Sequence, residues 1–366
     1  MDTALYWMWL ADGLGSGYRQ AQALLRQWPD PRALYERICR EQTLPKTLHP
    51  TALARLKALR PADLQGRLES CARLGVEILT PQDIDYPERL RTLPDMPVVL
   101  YVTGSIACLN GGRYVGMVGT RRPTRYGQQA CHDLAVNMAR AGAVLVSGLA
   151  DGLDAEAHRA SVEAGTPTVA FLGTGIDKTF PAANAALRRE IEAGGGAVVS
   201  EYPPDYKGKT TGTFLARNRL IAGLSEAVCV TEARRRSGTL NTVSHAARYG
   251  RLVFSVPGSI YSPTSEGTND LLREGKARPL CEASDVLKAL EMQAAADEPA
   301  AAAAEEVPLS EDARTVLGAL GPVPCTPAQA AAESGLPMPR VLAALMELEF
   351  AGAAASHPGQ LYTAER

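Results

Sequence analysis

Between residues 114 and 256 short, mostly apolar runs alternate with longer amphipathic ones. The runs 114–118, 143–146, 168–172, 197–200, 227–231 and 252–256 have strand length and strand composition. The stretches between them, 128–140 and 155–163 among them, repeat their apolar residues at helical spacing. This alternation predicts a parallel sheet with right-handed crossovers and helices on both faces. In such a sheet ligands sit outside the carboxyl ends of the strands, so the functional residues are expected there.

The flanks read differently. Residues 1–80 carry helical runs, such as 20–28 and 53–59, broken at Pro29, Pro50 and Pro61. Gly13-Leu14-Gly15-Ser16-Gly17 precedes one of these runs in the manner of a helix–hairpin–helix turn, although a purely structural turn is the plainer reading. Residues 292–308 are rich in Ala, Glu and Pro without an apolar face and read as a linker. The tail, 309–366, predicts helices over 311–320, 327–334 and 339–349, then a hairpin around His357-Pro358-Gly359, which makes a small winged helix. The expected organisation is therefore a helical segment 1–80, an α/β domain 81–291, the linker and the tail domain 309–366.

Charge narrows the search. The whole chain has a net charge of −2, which argues against a surface that coats polyanions everywhere. Residues 110–290 carry 22 Lys and Arg against 17 Asp and Glu, whereas 309–366 carry 3 against 6. A polyanion site belongs in the α/β segment. Seven scattered cysteines without a CxxC pair suggest neither zinc nor redox chemistry and fit a reducing compartment. The first residues lack the basic start and long apolar run of a secretory leader, and a soluble cytoplasmic protein is expected.

Four segments carry candidate chemistry. Gly119-Thr120-Arg121-Arg122 joins a strand to a helix, where backbone N–H groups and a helix N-terminus face an anion. Arg121 is placed to clamp a phosphate. Ser147-Gly148 ends the next strand and is followed by Asp154 and His158 at i, i+4. No GxSxG surrounds Ser147, so a structural Asp–His pair is expected rather than a catalytic triad. The third segment, Phe214-Leu215-Ala216-Arg217-Asn218-Arg219, follows a loop holding Lys207 and Lys209. A ring beside cations suits a single strand, whose bases stack and whose phosphates need charge. Ser237-Gly238-Thr239 opens a further helix and forms a fourth cradle. Gly173-Thr174-Gly175 lacks the third glycine of a dinucleotide fingerprint, no GxxxxGK[ST] occurs, and the histidines lack metal-ligand spacing. No cofactor is expected.

The ordered blocks VGTRRPTRYG (118–127), SGLADGLDAEAH (147–158), GTGIDKTFPAAN (173–184), SEYPP (200–204), FLARNRLIAGLS (214–225), SGTLNTVSHAARYGR (237–251) and VFSVPG (253–258) resemble the DNA-processing protein A family (DprA, also called Smf). The resemblance implies an N-terminal sterile-alpha-motif or helix–hairpin–helix segment, an extended Rossmann-like parallel sheet and a C-terminal winged helix. It implies a non-enzymatic protein that binds and protects incoming single-stranded DNA in natural transformation, helps load the RecA recombinase and forms a homodimer. Arg121 matches the family's DNA-contacting arginine, and Phe214, Arg217 and Asn218 match its FxxRN block. Two positions depart: Ala182 follows Phe180-Pro181 where relatives often carry lysine, and Thr211 stands three residues before Phe214 in place of a common lysine. Lys209 is the expected substitute for the latter.

The rival reading is a nucleotide phosphoribohydrolase of the Lonely-guy or lysine-decarboxylase-like group. Residues 236–243 lack the PGG and the glutamate that its PGGxGTxxE loop supplies.

Overall fold

The structure, a computed structural model, describes residues 3–40, 48–208, 210–292, 309–321, 324–357 and 360–364. Of the expected features, Lys209, the linker beyond Met292 and the Pro358-Gly359 turn lie outside the described residues. The chain divides into two compact units, Met1–Ala296 and Asp297–Arg366.

The first unit is built on a sheet of nine strands: β1 (Glu77–Leu79), β2 (Leu100–Gly104), β3 (Arg113–Val118), β4 (Ala143–Ser147), β5 (Thr168–Gly175), β6 (Ala197–Tyr202), β7 (Ala227–Val230), β8 (Leu252–Ser255) and β9 (Arg278–Pro279). Their order is β1-β2-β6-β5-β4-β3-β7-β8-β9. The six strands read from the apolar runs pair in parallel, as expected for strands linked by crossover helices. The additions β1 and β2 run antiparallel at one edge. From β3 the chain winds outward through β4, β5 and β6, then returns to the other side of β3 at β7. The carboxyl ends of β3 and β7 therefore diverge into a crevice, the topological switch point of an open α/β sheet.

Helices Arg125–Arg140 and Leu153–Glu163 cover one face and bury Leu134, Met138, Leu153 and Ala157 against Val115 and Leu145. On the other face helix Thr211–Leu224 packs across β5. Helix Thr3–Leu14 buries Leu5, Trp7, Met8, Trp9 and Leu10, and its apolar core continues into Leu100, Tyr101 and Val199 of the sheet. A helix apolar almost all round has to be enclosed by protein; here helices Pro31–Cys39 and Pro50–Ala58 and the turn Pro61–Leu64 enclose it.

The second unit is a winged helix. Helices Glu311–Ala319, Pro327–Ser334 and Met338–Phe350 close around Val316, Val341, Leu345 and Leu348, and β10 (Ala354–His357) pairs antiparallel with β11 (Leu361–Ala364). Its third helix leaves Met338, Leu342, Met346 and Phe350 exposed at four-residue spacing, and its Arg340 is bound to Asp312. No helix among the described residues is long and apolar enough to cross a membrane.

Candidate functional site

At the crevice a cleft of about 550 Å³ is lined by the loop after β3 (Gly119, Thr120, Arg121), the start of helix Thr211–Leu224, and the Ser237-Gly238-Thr239 turn. Thr210 caps the first of these helices: its hydroxyl accepts from the Thr213 N–H, and Thr213 Oγ1 accepts from the Thr210 N–H. Helix Thr239–Arg248 begins at Gly238. Thr239 Oγ1 donates to the Gly119 carbonyl at 3.0 Å, and Asn218 Nδ2 donates to the Gly238 carbonyl at 3.4 Å. These bonds hold three cradles around one opening, and two helix N-termini give it a positive field.

Arg121 is exposed, with its guanidinium 5.6 Å from the centroid of the Phe214 ring. Phe180 also lines the cleft, its ring 5.7 Å from that of Phe214. Gly173 explains why Phe214 can lie there: a Cβ on it would stand 2.6 Å from the ring's Cδ1. Gly173 makes room for a side chain, and Gly175 for the close approach of the Pro203 carbonyl and Asp177, rather than turning around a dinucleotide.

Arg217 lies beneath this surface, 4% exposed. It donates to the Gly148 carbonyl at 2.5 Å and to the Phe171 carbonyl. Burial, then the neighbouring Arg121, pushes its guanidinium down to about 10, with Asp154 opposing. Burial raises the Asp154 carboxyl, opposed by Arg217, Arg121 and the N–H groups of Gly148 and Ala150. Each member of this pair loses more by desolvation than its partner returns.

The remaining expected residues are distributed as follows. Arg122 is exposed on the same loop and does not line the cleft, its N–H being turned to Thr120 Oγ1. Ser147 is fully buried and donates to the Met117 carbonyl at 2.6 Å, so it faces the sheet and not an anion. Gly148 offers space, because a Cβ there would meet the Arg217 guanidinium. Arg219 turns away from the cleft and is buried against Glu201, because on a helix i and i+2 face different sides. The anticipated Asp154–His158 pairing gives way to separate partners: His158 Nδ1 bonds Thr168 Oγ1 at 2.8 Å, and Asp154 accepts the N–H groups of Gly148 and Ala150.

Sequence reading missed Glu232, which is 1% exposed. Its carboxylate accepts from the N–H and hydroxyl of Thr124, at 2.9 and 2.7 Å, and from the Thr264 hydroxyl at 2.9 Å. Its carbonyl accepts from the Thr120 N–H at 2.9 Å, so one residue carries both ends of the Arg121 loop. A carboxylate two residues past the end of a parallel core strand was the available signal. Among the described residues no cluster of three His, Cys, Asp or Glu could hold a metal ion.

The model of the DNA recombination-mediator protein A family matches residues 77–291, and that of the DprA winged helix domain matches 298–360. The chain belongs to the DprA family. The Bacillus subtilis DNA processing protein DprA is 37% identical over 216 residues, 59% of this chain and 72% of its own. The crystal structure of Streptococcus pneumoniae DprA superposes with a TM-score of 0.65 at 30% identity, over 80% of this chain and 99% of that one. Helicobacter pylori DprA, solved for its single-stranded DNA binding mode, superposes with a TM-score of 0.53 at 32% identity, over 59% and 98%. In DprA terms the cleft lies wholly inside the segment that the family model spans.

Proposed function

We propose that this chain binds single-stranded DNA in the cleft between β3 and β7, without base-edge specificity and without catalysis. The observation that carries this reading is the exposed Arg121 beside the Phe214 ring, with two helix N-termini opening on the same space. Arg121 and the N–H groups take phosphate, while Phe214 and Phe180 offer aromatic surface to bases. Arg217 and Asn218 position these groups from beneath: Arg217 ties helix Thr211–Leu224 to β4 and β5, and Asn218 ties it to the Ser237 turn. The DNA-contacting set therefore centres on Gly119, Arg121, Phe214, Ser237, Gly238 and Thr239. Lys209 is a candidate addition.

Asp154 gives the enzyme reading its one specific support, since a cleft carboxyl raised by burial is a common general acid. Against it, Asp154 accepts backbone N–H groups and lies against two arginines, which suits a support for the loops. Protection of incoming DNA, delivery to RecA and homodimerisation extend the reading and rest on the family resemblance, whereas a cytoplasmic location rests on the scattered cysteines.

The test is anisotropy of a labelled, unstructured oligonucleotide against a duplex of the same length, over a salt series. Single-strand preference and a steep salt slope are expected, with a large loss in Arg121→Ala. Equal affinity for duplex and single strand at matched salt would refute the reading. Release of adenine from AMP would establish the hydrolase instead.

A further inference from the structure

A second, wider groove of about 740 Å³ shares Thr210 with the cleft. One wall is the hairpin 14–20 that follows the first helix, and the other is Tyr206 with the first turn of helix Thr211–Leu224. Gly15 and Gly17 shape the hairpin with φ of +79° and +72°, a region that side chains with a Cβ rarely enter. Arg55 donates to the Leu14 carbonyl at 2.8 Å and Ser16 donates to Glu201 at 2.5 Å, so the hairpin is fastened to its own helical layer and to β6.

The groove's charge has one sign. Arg19 and Arg55 line it, and among the described residues no carboxylate does. Glu201, just behind Ser16, is neutralised by the buried Arg219. Tyr206 is half-buried and stacks on Tyr202 with ring centroids 4.4 Å apart. The remaining lining is mainly hydroxyl and glycine, with Leu14 and Ala216 as aliphatic members, so little favours an apolar protein segment.

We propose that this groove continues the path of the single strand, a reading that rests on strand binding in the first cleft. DNA leaving the cleft over Thr210 runs along the hairpin, where Arg19 and Arg55 meet phosphates and Tyr206 meets a base. The glycine hairpin of the N-terminal helices thereby gains a function, and the helical layer becomes part of the nucleic-acid surface.

Single-strand sites commonly span roughly 4–16 nucleotides, so the full chain is titrated with oligothymidylates of about 5 and about 16 nucleotides. The longer probe binds more tightly in wild type. Arg19→Ala should lower the long-to-short affinity ratio and flatten the long probe's log–log salt slope by about 0.7. Tyr206→Leu should lower that ratio by about tenfold, the loss of one stacked base. Arg121→Ala weakens both probes and marks the first cleft. An unchanged ratio and slope in both groove variants would overturn the proposal while cleft binding stands. Equal weakening of both probes by Arg19→Ala, with native far-UV dichroism, would overturn it too. Failure of wild type to bind either probe would bring down the cleft reading itself.

Discussion

His158 makes the protein sensitive to acid in a calculable way. Its ring is fully buried, and Thr168 Oγ1 already donates to the Leu145 carbonyl at 2.7 Å. That hydroxyl can therefore only accept from His158, which places the proton on Nδ1 at 2.8 Å and leaves Nε2 bare, without a partner. Protonating Nε2 would bury a cation close to Arg217. Burial first, and Arg217 second, hold the imidazole down at about 3, against an ordinary 6.5. The unfolded chain takes up this proton near pH 6.5 and the folded chain does not. Stability from this site is thus complete above pH 6.5 and is lost as pH falls toward 3. At about 1.36 kcal/mol per unit, the loss reaches about 2.7 kcal/mol by about pH 4.5 and nearly 5 kcal/mol in full. That is a large part of the 5–15 kcal/mol typical of a folded domain. Asp154 acts with the opposite sign: its raised carboxyl gives stability that fades as pH rises through its folded value. The assay is urea denaturation between about pH 7.5 and 4.5 for wild type and His158→Gln. The variant starts less stable, and its pH dependence should be shallower by about 2.7 kcal/mol at the acid end. Identical pH dependence in the two proteins, or an imidazole that titrates above about pH 5 in the folded state, would refute the reasoning.

Three further outcomes are expected. Arg217→Met leaves the Gly148 and Phe171 carbonyls without their donor and Asp154 without its buried counter-charge; a loss of about 3–5 kcal/mol by denaturant titration is expected. Gly173→Ala sets a methyl 2.6 Å from the Phe214 ring and 3.1 Å from its Cα, costing about 1–3 kcal/mol and weakening oligonucleotide binding through the displaced ring; unchanged binding would separate Phe214 from the site. A chain ending at Met292 should keep nearly all affinity for a single strand, because the tail carries a net charge of −3, its third helix exposes Met and Phe, and its Arg340 is paired with Asp312.

The strand periodicity was legible because parallel core strands are buried on both faces and must be apolar along their length. It located six central strands to within about two residues at most ends, the exceptions being where a polar or glycine residue continues a ladder, as at Gly175. The antiparallel strands β1 and β2 were not legible. β1 has only three residues, and β2 pairs antiparallel with β6 across nearly a hundred residues, a choice made by available sheet edge rather than by local pattern. The helix Thr3–Leu14 shows the same limit: without an amphipathic stripe, its sequence says buried but not against what.

The candidate site divides along the same line. Which loops meet follows from alternation alone, since a parallel sheet brings every strand-to-helix turn to one edge. Which side chains face the opening does not. Arg217, Asn218 and Arg219 are neighbours in sequence, yet one lies under the cleft, one bridges two helices and one is buried against Glu201. A helix turns by about 100° per residue, so only the packing of that helix on β5 decides which arginine is a positioning group and which pairs elsewhere. The sequence by itself determined the strands, their common edge and the positive central segment. The tertiary structure decided the strand order that opens the cleft, the burial that splits equivalent residues into different roles, and the groove that joins the glycine hairpin to it. Burial and the facing of a side chain depend on neighbours remote in sequence, and only the folded chain brings them together.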